Sequence, residues 1–340
     1  MEDGPAISVV MPVYNGMPFL PETLDCLLSQ TESNFELVVV DDGSTDATPS
    51  ILAEAARRDR RIRVVSLAHG GIVSALNAGL AAARAPLIAR MDADDLCLPE
   101  RLALQRQALE ADSELGLVAS QVAYGGDAAV NRGFALFVDW TNGLVDPRDI
   151  RLKRFVETPL IHPTVMFRRE CVTRFGGYRD GDFPEDYELW LRWLDRGVRM
   201  AKLPRELVTW RERKDRLSRV HPRYSETAFY RCKAEYLARY LCEEAGPHRR
   251  VAVWGAGRTT RKRAAFLAEF GVTIAAFIDI DPRKVGQRIG GVPVWDKESL
   301  PDPGDTFVLA YVGNRGARDL ISAHLQERGY REGRDYLLAA

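Results

Sequence analysis

Two groups of carboxylates in the first hundred residues could do chemistry: Asp41-Asp42-Gly43-Ser44-Thr45-Asp46 and Asp92-Ala93-Asp94-Asp95, each directly after an apolar run of β type. Carboxylates brought to the C-terminal ends of neighbouring parallel strands lie where an open α/β sheet holds a nucleotide, and their oxygens are hard ligands for a divalent cation. Asp92-Ala93-Asp94 has the spacing to hold Mg²⁺ or Mn²⁺ while the cation neutralises a diphosphate and stabilises its departure. A third acidic group, Glu185-Asp186, opens a helical stretch, where acids in the first turn are also favoured by the helix dipole alone. Aspartates also serve as turn and helix-cap residues, and that is the alternative for Asp42, Asp46 and Asp95.

The elements that must position these groups read as alternating strands and helices. Ile7 to Val13 and Phe35 to Val40 are continuous apolar runs, as in strands buried on both faces, and Leu20, Leu24, Leu27 and Leu28 recur between them at helical spacing. This β-α-β unit continues with a helix from about Ala47 to Arg57, a strand at Arg63 to Leu67, a helix at Ile72 to Ala83 and a strand at Leu87 to Met91. A helix runs from Pro99 to about Glu110. Between Leu117 and Trp210 the pattern is mixed, with strand-like pieces at Leu117 to Tyr124, Thr164 to Phe167 and Leu207 to Trp210. Tyr224 to Glu244 then reads as an amphipathic helix stopped by Gly246-Pro247. A second β-α-β follows: Val251 to Trp254, a helix to about Phe270, and Thr273 to Ile278 ending at Asp279. Phe307 to Tyr311 adds a strand and Ala317 to Arg328 a closing helix. The expected division is 1–222 for the first domain, 223–247 for a linker helix and 248–340 for a small Rossmann-like domain.

Composition narrows the function classes. The 340 residues are 46% hydrophobic and 28% charged, with a formal net charge of −1, so no global field favours nucleic acid. Five cysteines are scattered without a Cys-x-x-Cys or a Cys/His cluster, which argues against zinc and a disulfide framework and fits a reducing cytoplasm. Met1-Glu2-Asp3-Gly4-Pro5 shows no secretory signal, and no apolar run is long enough to span a bilayer. Any membrane contact would be peripheral, at the inner face.

The order Val10-Met11-Pro12-Val13-Tyr14-Asn15, Val39-Val40-Asp41-Asp42-Gly43-Ser44-Thr45-Asp46, Arg90-Met91-Asp92-Ala93-Asp94-Asp95, His162-Pro163-Thr164, Gly176-Gly177-Tyr178-Arg179 and Glu185-Asp186-Tyr187-Glu188-Leu189-Trp190-Leu191-Arg192 resembles the family 2 glycosyltransferases over about two thirds of the chain. The resemblance implies the GT-A fold, a mixed, mostly parallel sheet flanked by helices, and a nucleoside-diphosphate sugar donor, with a UDP-sugar expected. It implies that Pro12, Tyr14 and Asp41 line the base pocket, with Asp42 and Ser44 near it, and that Asn77 and Arg90 flank the nucleotide. Asp92 would approach the ribose or the metal, Asp94 would be the principal ligand of Mn²⁺ or Mg²⁺, and Asp186 would be the base of an inverting transfer. Glu185, Trp190, His162, Arg211 and Arg213 are expected at the acceptor or the phosphates. Asp186, Trp190 and Trp193 share one helical face, so a tryptophan there could stack on a sugar, or belong to the core. Many relatives carry a metal-binding histidine after the last strand, whereas Trp210-Arg211-Glu212-Arg213-Lys214 has arginine there. The third protein ligand is thereby in doubt, and Arg213 could neutralise phosphate itself.

Arg211, Arg213, Lys214, Arg216, Arg219 and Arg223 form a basic cluster that could clamp a diphosphate, meet a lipid pyrophosphate or anionic membrane, or be a solvated linker. Gly255-Ala256-Gly257 is an incomplete dinucleotide fingerprint, with Thr260 at the third glycine position and Asp279 where a ribose-binding acid would sit. Gly255, Gly257 and Asp279 are the candidate second nucleotide site. A structural or dimerising role, giving a homo-oligomer, is the alternative. The expected function is transfer of a sugar to a hydroxyl of a glycan or lipid-linked saccharide. A non-catalytic sugar-nucleotide-binding scaffold and an NAD(P)-dependent oxidoreductase using the C-terminal region are the alternatives.

Overall fold

The computed structural model describes residues 4–213, 215–246 and 249–340. Lys214 of the basic cluster, Pro247 of the helix stop and Met1 to Asp3 lie outside the described residues. The chain forms two compact units. One holds the residues up to Ile150 together with Pro159–Gly181 and Arg192–Val220; the other holds Arg151–Thr158, Asp182–Leu191 and His221–Ala340.

In chain order the first two hundred residues form β1 (Ile7–Val13), α1 (Leu20–Leu28), β2 (Phe35–Asp41), α2 (Thr48–Arg58), β3 (Ile62–Ser66), α3 (Ile72–Ala82), β4 (Leu87–Arg90), β5 (Leu96–Cys97), α4 (Arg101–Ala111), β6 (Leu115–Gly125), α5 (Arg132–Asn142), α6 (Pro147–Lys153), β7 (Met166–Arg168), α7 (Arg169–Phe175), α8 (Glu185–Asp195) and β8 (Arg199–Arg211). The eight strands make one sheet in the order β3-β2-β1-β4-β7-β6-β8-β5. β3, β2, β1 and β4 are parallel, whereas β7 runs antiparallel to β4 and β6. Every residue of β1 and β2 is buried, so their unbroken apolar runs match strands covered on both faces. Register aligns Val13 with Asp41 and Asp41 with Ser66, which puts the loops after β1, β2 and β3 side by side. β4 stops at Arg90, opposite Val10, and the Asp92 to Asp95 turn leaves the sheet at that edge.

After α9 (Leu217–Val220) and α10 (Glu226–Glu243), the second sheet is built from β9 (Arg250–Trp254), α11 (Arg258–Ala264), β10 (Ile274–Asp279), β11 (Arg288–Ile289), β12 (Val292–Asp296), β13 (Thr306–Ala310), α12 (Arg315–Glu327) and β14 (Tyr336–Leu338). Its order is β11-β12-β10-β9-β13-β14, with β12, β10, β9, β13 and β14 mutually parallel. This is a Rossmann-like doubly wound arrangement.

Three expectations are corrected here. The linker helix expected over 223–247 forms as α10, and it packs as part of the second unit's core: Tyr230, Tyr236, Leu237 and Tyr240 are buried in one cluster with Val253, Phe277, Phe307 and Leu309 of the second sheet. The second unit also takes in residues 151–158 and 182–191, far upstream of the expected boundary at 248. The strand expected from Thr164 begins only at Met166, because His162–Thr164 form a short 3₁₀ turn ahead of β7.

Candidate active site

The loops after β1 and β2 are zipped together by side chains. Asn15 donates its backbone N–H to Ser44 Oγ at 2.8 Å, and its side-chain oxygen accepts from the N–H groups of Thr45 and Asp46 at 2.8 and 3.3 Å. Asn15 has φ +51°, a left-handed conformation that asparagine tolerates better than most residues. Asp41 is buried at the tip of β2, and its Oδ1 accepts from Ser44 N at 3.0 Å. Pro12 is buried beside it in β1, and Tyr14 follows with half its surface exposed. The Tyr14 ring stacks on His69, with centroids 4.1 Å apart and planes at 26°.

Asp42 turns away from that opening. Its carboxylate accepts from the N–H groups of Gly70 and Gly71, both at 2.9 Å, and lies 2.9 Å from His69 Nδ1. Gly43 makes the turn with φ +74°, and a Cβ there would stand 2.8 Å from the His69 backbone nitrogen. Asp42 therefore ties the loop after β3 to the loop after β2, which is how His69 comes to Tyr14. Asp46 accepts from Thr48 N at 2.9 Å and Met17 N at 3.1 Å, a turn-and-cap role. His69 was missed in the sequence; the pair of glycines that follows it was the available signal.

The acidic turn after β4 gathers the second set. One carboxylate oxygen each from Asp92, Asp94 and Asp95 lie within 4.8 Å of one another. The three are oxygen donors of the kind hard cations take. Asp95 is fully buried; Oδ1 accepts from Arg211 N at 2.8 Å, and Oδ2 has no hydrogen-bond partner among the described residues. A bound cation would satisfy that orphan oxygen, so the donor set fits Mg²⁺ or Mn²⁺. Burial and the Asp92 charge push the Asp94 carboxyl above its ordinary range, and the same two causes push Asp95 well above it.

Guanidinium groups surround this turn. Arg90 is buried at the end of β4 with Nη1 2.5 Å from Asp92 Oδ1. Arg213 donates through Nη1 to Asp94 Oδ2 at 3.3 Å and holds Asp215 through Nε and Nη2. Arg211 pairs with Glu22, and Arg219 stands 2.6 Å from Glu212. These members of the basic cluster are paired with carboxylates and are not a solvated linker. Asn77, expected beside the nucleotide, clamps a backbone segment: its amide donates to Tyr178 O at 2.9 Å and accepts from Tyr178 N at 3.0 Å. His162 is buried with Nε2 2.7 Å from the Tyr178 hydroxyl, and burial together with the Arg90 charge pushes its imidazole well below the usual range.

On α8 the acids have different surroundings. Glu185 is buried and accepts from the Tyr224 hydroxyl on both oxygens at 2.7 Å. Glu188 accepts from the Tyr236 hydroxyl at 2.5 Å. From Pro184 to Leu194 every residue is buried except Asp186, which is partly exposed. Trp190 and Trp193 have no exposed surface, so neither ring offers a face to a sugar in this structure. Trp193 packs edge-on against Phe167 and donates to Gly176 O at 3.2 Å, as a core residue does.

In the second unit a cavity of about 620 Å³ opens at the C-terminal ends of β9 and β10, lined by Trp254, Gly255, Gly257, Asp279, Leu320 and His324 among others. Gly255 takes φ +111°. Asp279 reaches the expected strand end, but its oxygens accept from Ala256 N and Asp281 N at 2.9 Å and from Lys284 Nζ at 3.0 Å. Among the described residues no helix is long and apolar enough to cross a membrane.

Comparison with known proteins agrees with this geometry. Residues 8–175 match the model for glycosyl transferase family 2, and residues 248–327 match the CoA binding domain. The chain is 33% identical over 230 residues to the putative glycosyltransferase EpsE of Bacillus subtilis, covering 66% of this chain and 80% of that protein. It is 31% identical to the amylovoran biosynthesis glycosyltransferase AmsE of Erwinia amylovora, covering 62% and 78%. A crystal structure of S. aureus TarS residues 1–349 with UDP-GlcNAc superposes with a TM-score of 0.56 at 20% identity, covering 78% of this chain and 71% of that one. The fold is thus of the GT-A type, followed by a Rossmann-like domain. With the parallel strands, their zipped loops and the acidic turn in place, and with relatives covered over most of their length, the chain belongs to the family 2 glycosyltransferases.

Proposed function

We propose that this glycosyltransferase transfers a hexosyl group with inversion from a nucleoside-diphosphate sugar, a UDP-sugar, to a hydroxyl of a glycan or lipid-linked saccharide in a surface polysaccharide pathway. The observation that carries the reading is the acidic turn: three carboxylates converge at the edge of the sheet that carries the Tyr14 and Asp41 loops, and one buried oxygen among them lacks a partner among the described residues. Names of the similar proteins support the donor class, since one structural neighbour is bound to UDP-GlcNAc and another, from Pyrobaculum calidifontis, to GDP-Man and Mn²⁺.

In this reading Pro12, Tyr14 and Asp41 receive the base, with Ser44 holding the Asp41 loop, and Asp94 with Asp92 and Asp95 holds Mn²⁺ or Mg²⁺. Bound there, the cation would neutralise charge on the departing diphosphate. Asp186 is the general base. The acceptor oxygen forms its bond to the anomeric carbon as the bond from that carbon to the diphosphate oxygen breaks. Asp186 takes the acceptor hydroxyl proton, and the nucleoside diphosphate leaves with the bonding pair. Partial exposure suits Asp186 to this role, whereas Glu185 and Glu188 are buried against tyrosine hydroxyls.

A thermal-shift screen with UDP, GDP, CDP and dTDP, each with Mn²⁺ and with chelator, tests the donor class, because a ligand specific to the folded state raises the melting temperature. A Mn²⁺-dependent shift with UDP, lost in Asp94→Ala, is expected. No shift with any nucleotide would refute the reading and favour a non-catalytic scaffold. Anomeric configuration of the product, read by proton NMR, tests inversion.

A further inference from the structure

The acidic turn holds more positive charge than a site waiting for a cation needs. Arg90 lies 2.5 Å from Asp92, Arg216 lies 3.8 Å from the other Asp92 oxygen, and Arg213 lies 3.3 Å from Asp94. Two of these are fixed. Arg90 is buried, and Arg216 covers the Trp210 ring at 4.3 Å while donating to Arg211 O at 2.7 Å. Arg213 sits at the rim, its face over Phe19 at 4.9 Å and its other edge on the exposed carboxylate of Asp215. Asp95, in the same turn, is fully buried, and its Oδ2 has no hydrogen-bond partner among the described residues.

A divalent cation entering this turn meets carboxylates already paired with guanidinium groups, and at Asp94 Oδ2 it meets Arg213. A diphosphate brings the missing negative charge, and the guanidinium fork fits phosphate oxygens as well as it fits a carboxylate. We propose that Arg213 and the cation compete for Asp94, and that an incoming diphosphate resolves the competition by drawing Arg213 onto itself. The free protein then binds the cation weakly, and cation and diphosphate are taken up together. This rests on the cation-and-diphosphate reading given above. Because coupling between two ligands is reciprocal, the cation tightens diphosphate binding by the same factor.

The test measures Mn²⁺ binding to the full chain by electron paramagnetic resonance, with and without UDP, in wild type, Arg213→Gln and Asp215→Asn, with UDP affinity followed by calorimetry. In Arg213→Gln, Mn²⁺ alone should bind about tenfold tighter and UDP about tenfold weaker, the scale of one charge-assisted contact at a partly exposed site. Asp215→Asn removes the competing partner of Arg213, leaves it more firmly on Asp94, and should weaken Mn²⁺ binding without UDP. Tighter Mn²⁺ binding excludes unfolding of Arg213→Gln, and an unchanged melting temperature excludes it for Asp215→Asn. Equal or weaker Mn²⁺ binding by Arg213→Gln without UDP would overturn the inference while leaving the cation site intact. UDP binding that ignores Mn²⁺ in every variant, with no Mn²⁺ bound, would overturn the cation site as well.

Discussion

Replacing Glu36 by glutamine should cost the first unit about 2 kcal/mol at neutral pH, and the cost should fade in acid. Glu36 opens β2 and is buried. Its Oε1 accepts from Ser8 Oγ at 2.7 Å and Arg84 N at 2.8 Å, and its Oε2 faces Arg63 at 2.8 Å and Arg84 at 2.8 Å. Burial alone would raise its carboxyl, but the Ser8 hydroxyl, Arg63 and Arg84 outweigh burial and hold it down at about 2 against an ordinary 4.5. A shift of that size corresponds to about 3 kcal/mol. Arg63 and Arg84 are 36% and 60% exposed, so solvent screening trims this to about 2 kcal/mol. Glutamine keeps the two bonds on Oε1 but turns an NH₂ group toward two guanidinium groups. A carboxyl lowered by folding stabilises the fold above its unfolded value and loses that contribution as pH falls from 4.5 toward 2. The assay is hydrogen exchange of β1 and β2 amides, taken as the variant-to-wild-type rate ratio at each pH so that intrinsic exchange chemistry cancels. The ratio should be about 30 at pH 7 and about fourfold at pH 3. A ratio that stays constant from pH 7 to pH 3, or one near unity at pH 7, would refute the reasoning.

Further outcomes are expected elsewhere. Asp186→Asn should lower the turnover number by about 10²–10⁴-fold while UDP affinity stays within about twofold, checked by a coupled UDP-release assay and calorimetry; equal losses in both would remove Asp186 from proton transfer. Asp94→Ala should abolish the Mn²⁺-dependent part of the UDP thermal shift and leave the unliganded melting temperature unchanged or higher, since burial and Asp92 already disfavour its charge. Gly79→Ala should destabilise the first unit by about 1–3 kcal/mol, because the new Cβ would stand 2.5 Å from Val10 Cγ1 and 3.2 Å from Val40 Cγ2. Pairing it with Val10→Ala should recover part of that loss in chemical denaturation; no recovery would place the strain elsewhere.

Much of the donor side was legible because its elements carry strong, simple signals. β1 and β2 are apolar at nearly every position since both their faces are covered, and the acids at their ends stand out against that background. β8 was legible only from Leu207, because the stretch before it ends in three exposed residues, Pro204 to Glu206, where the register against β6 shifts. α5 and α6 were not read as elements, and few residues of either are buried. α10 was legible as a helix but not as a core element: its buried residues spread round much of its circumference, so its sequence looks only weakly amphipathic. Spacing placed Trp190 on the face of Asp186 but carried no information on whether that face meets solvent. Asn77 illustrates a different limit, because its partner Tyr178 lies a hundred residues away and no local pattern ties the two.

The contact between Arg216 and Trp210 also gives the acidic turn an optical signature. Trp210 is nearly buried, with the Arg216 guanidinium over its ring and Phe134 and Phe137 at its edges. Indole emission responds to a charge held against the ring, so occupancy of the turn can be followed as a change in intrinsic fluorescence without a label. The other five tryptophans, Trp140, Trp190, Trp193, Trp254 and Trp295, supply the background against which that change is read.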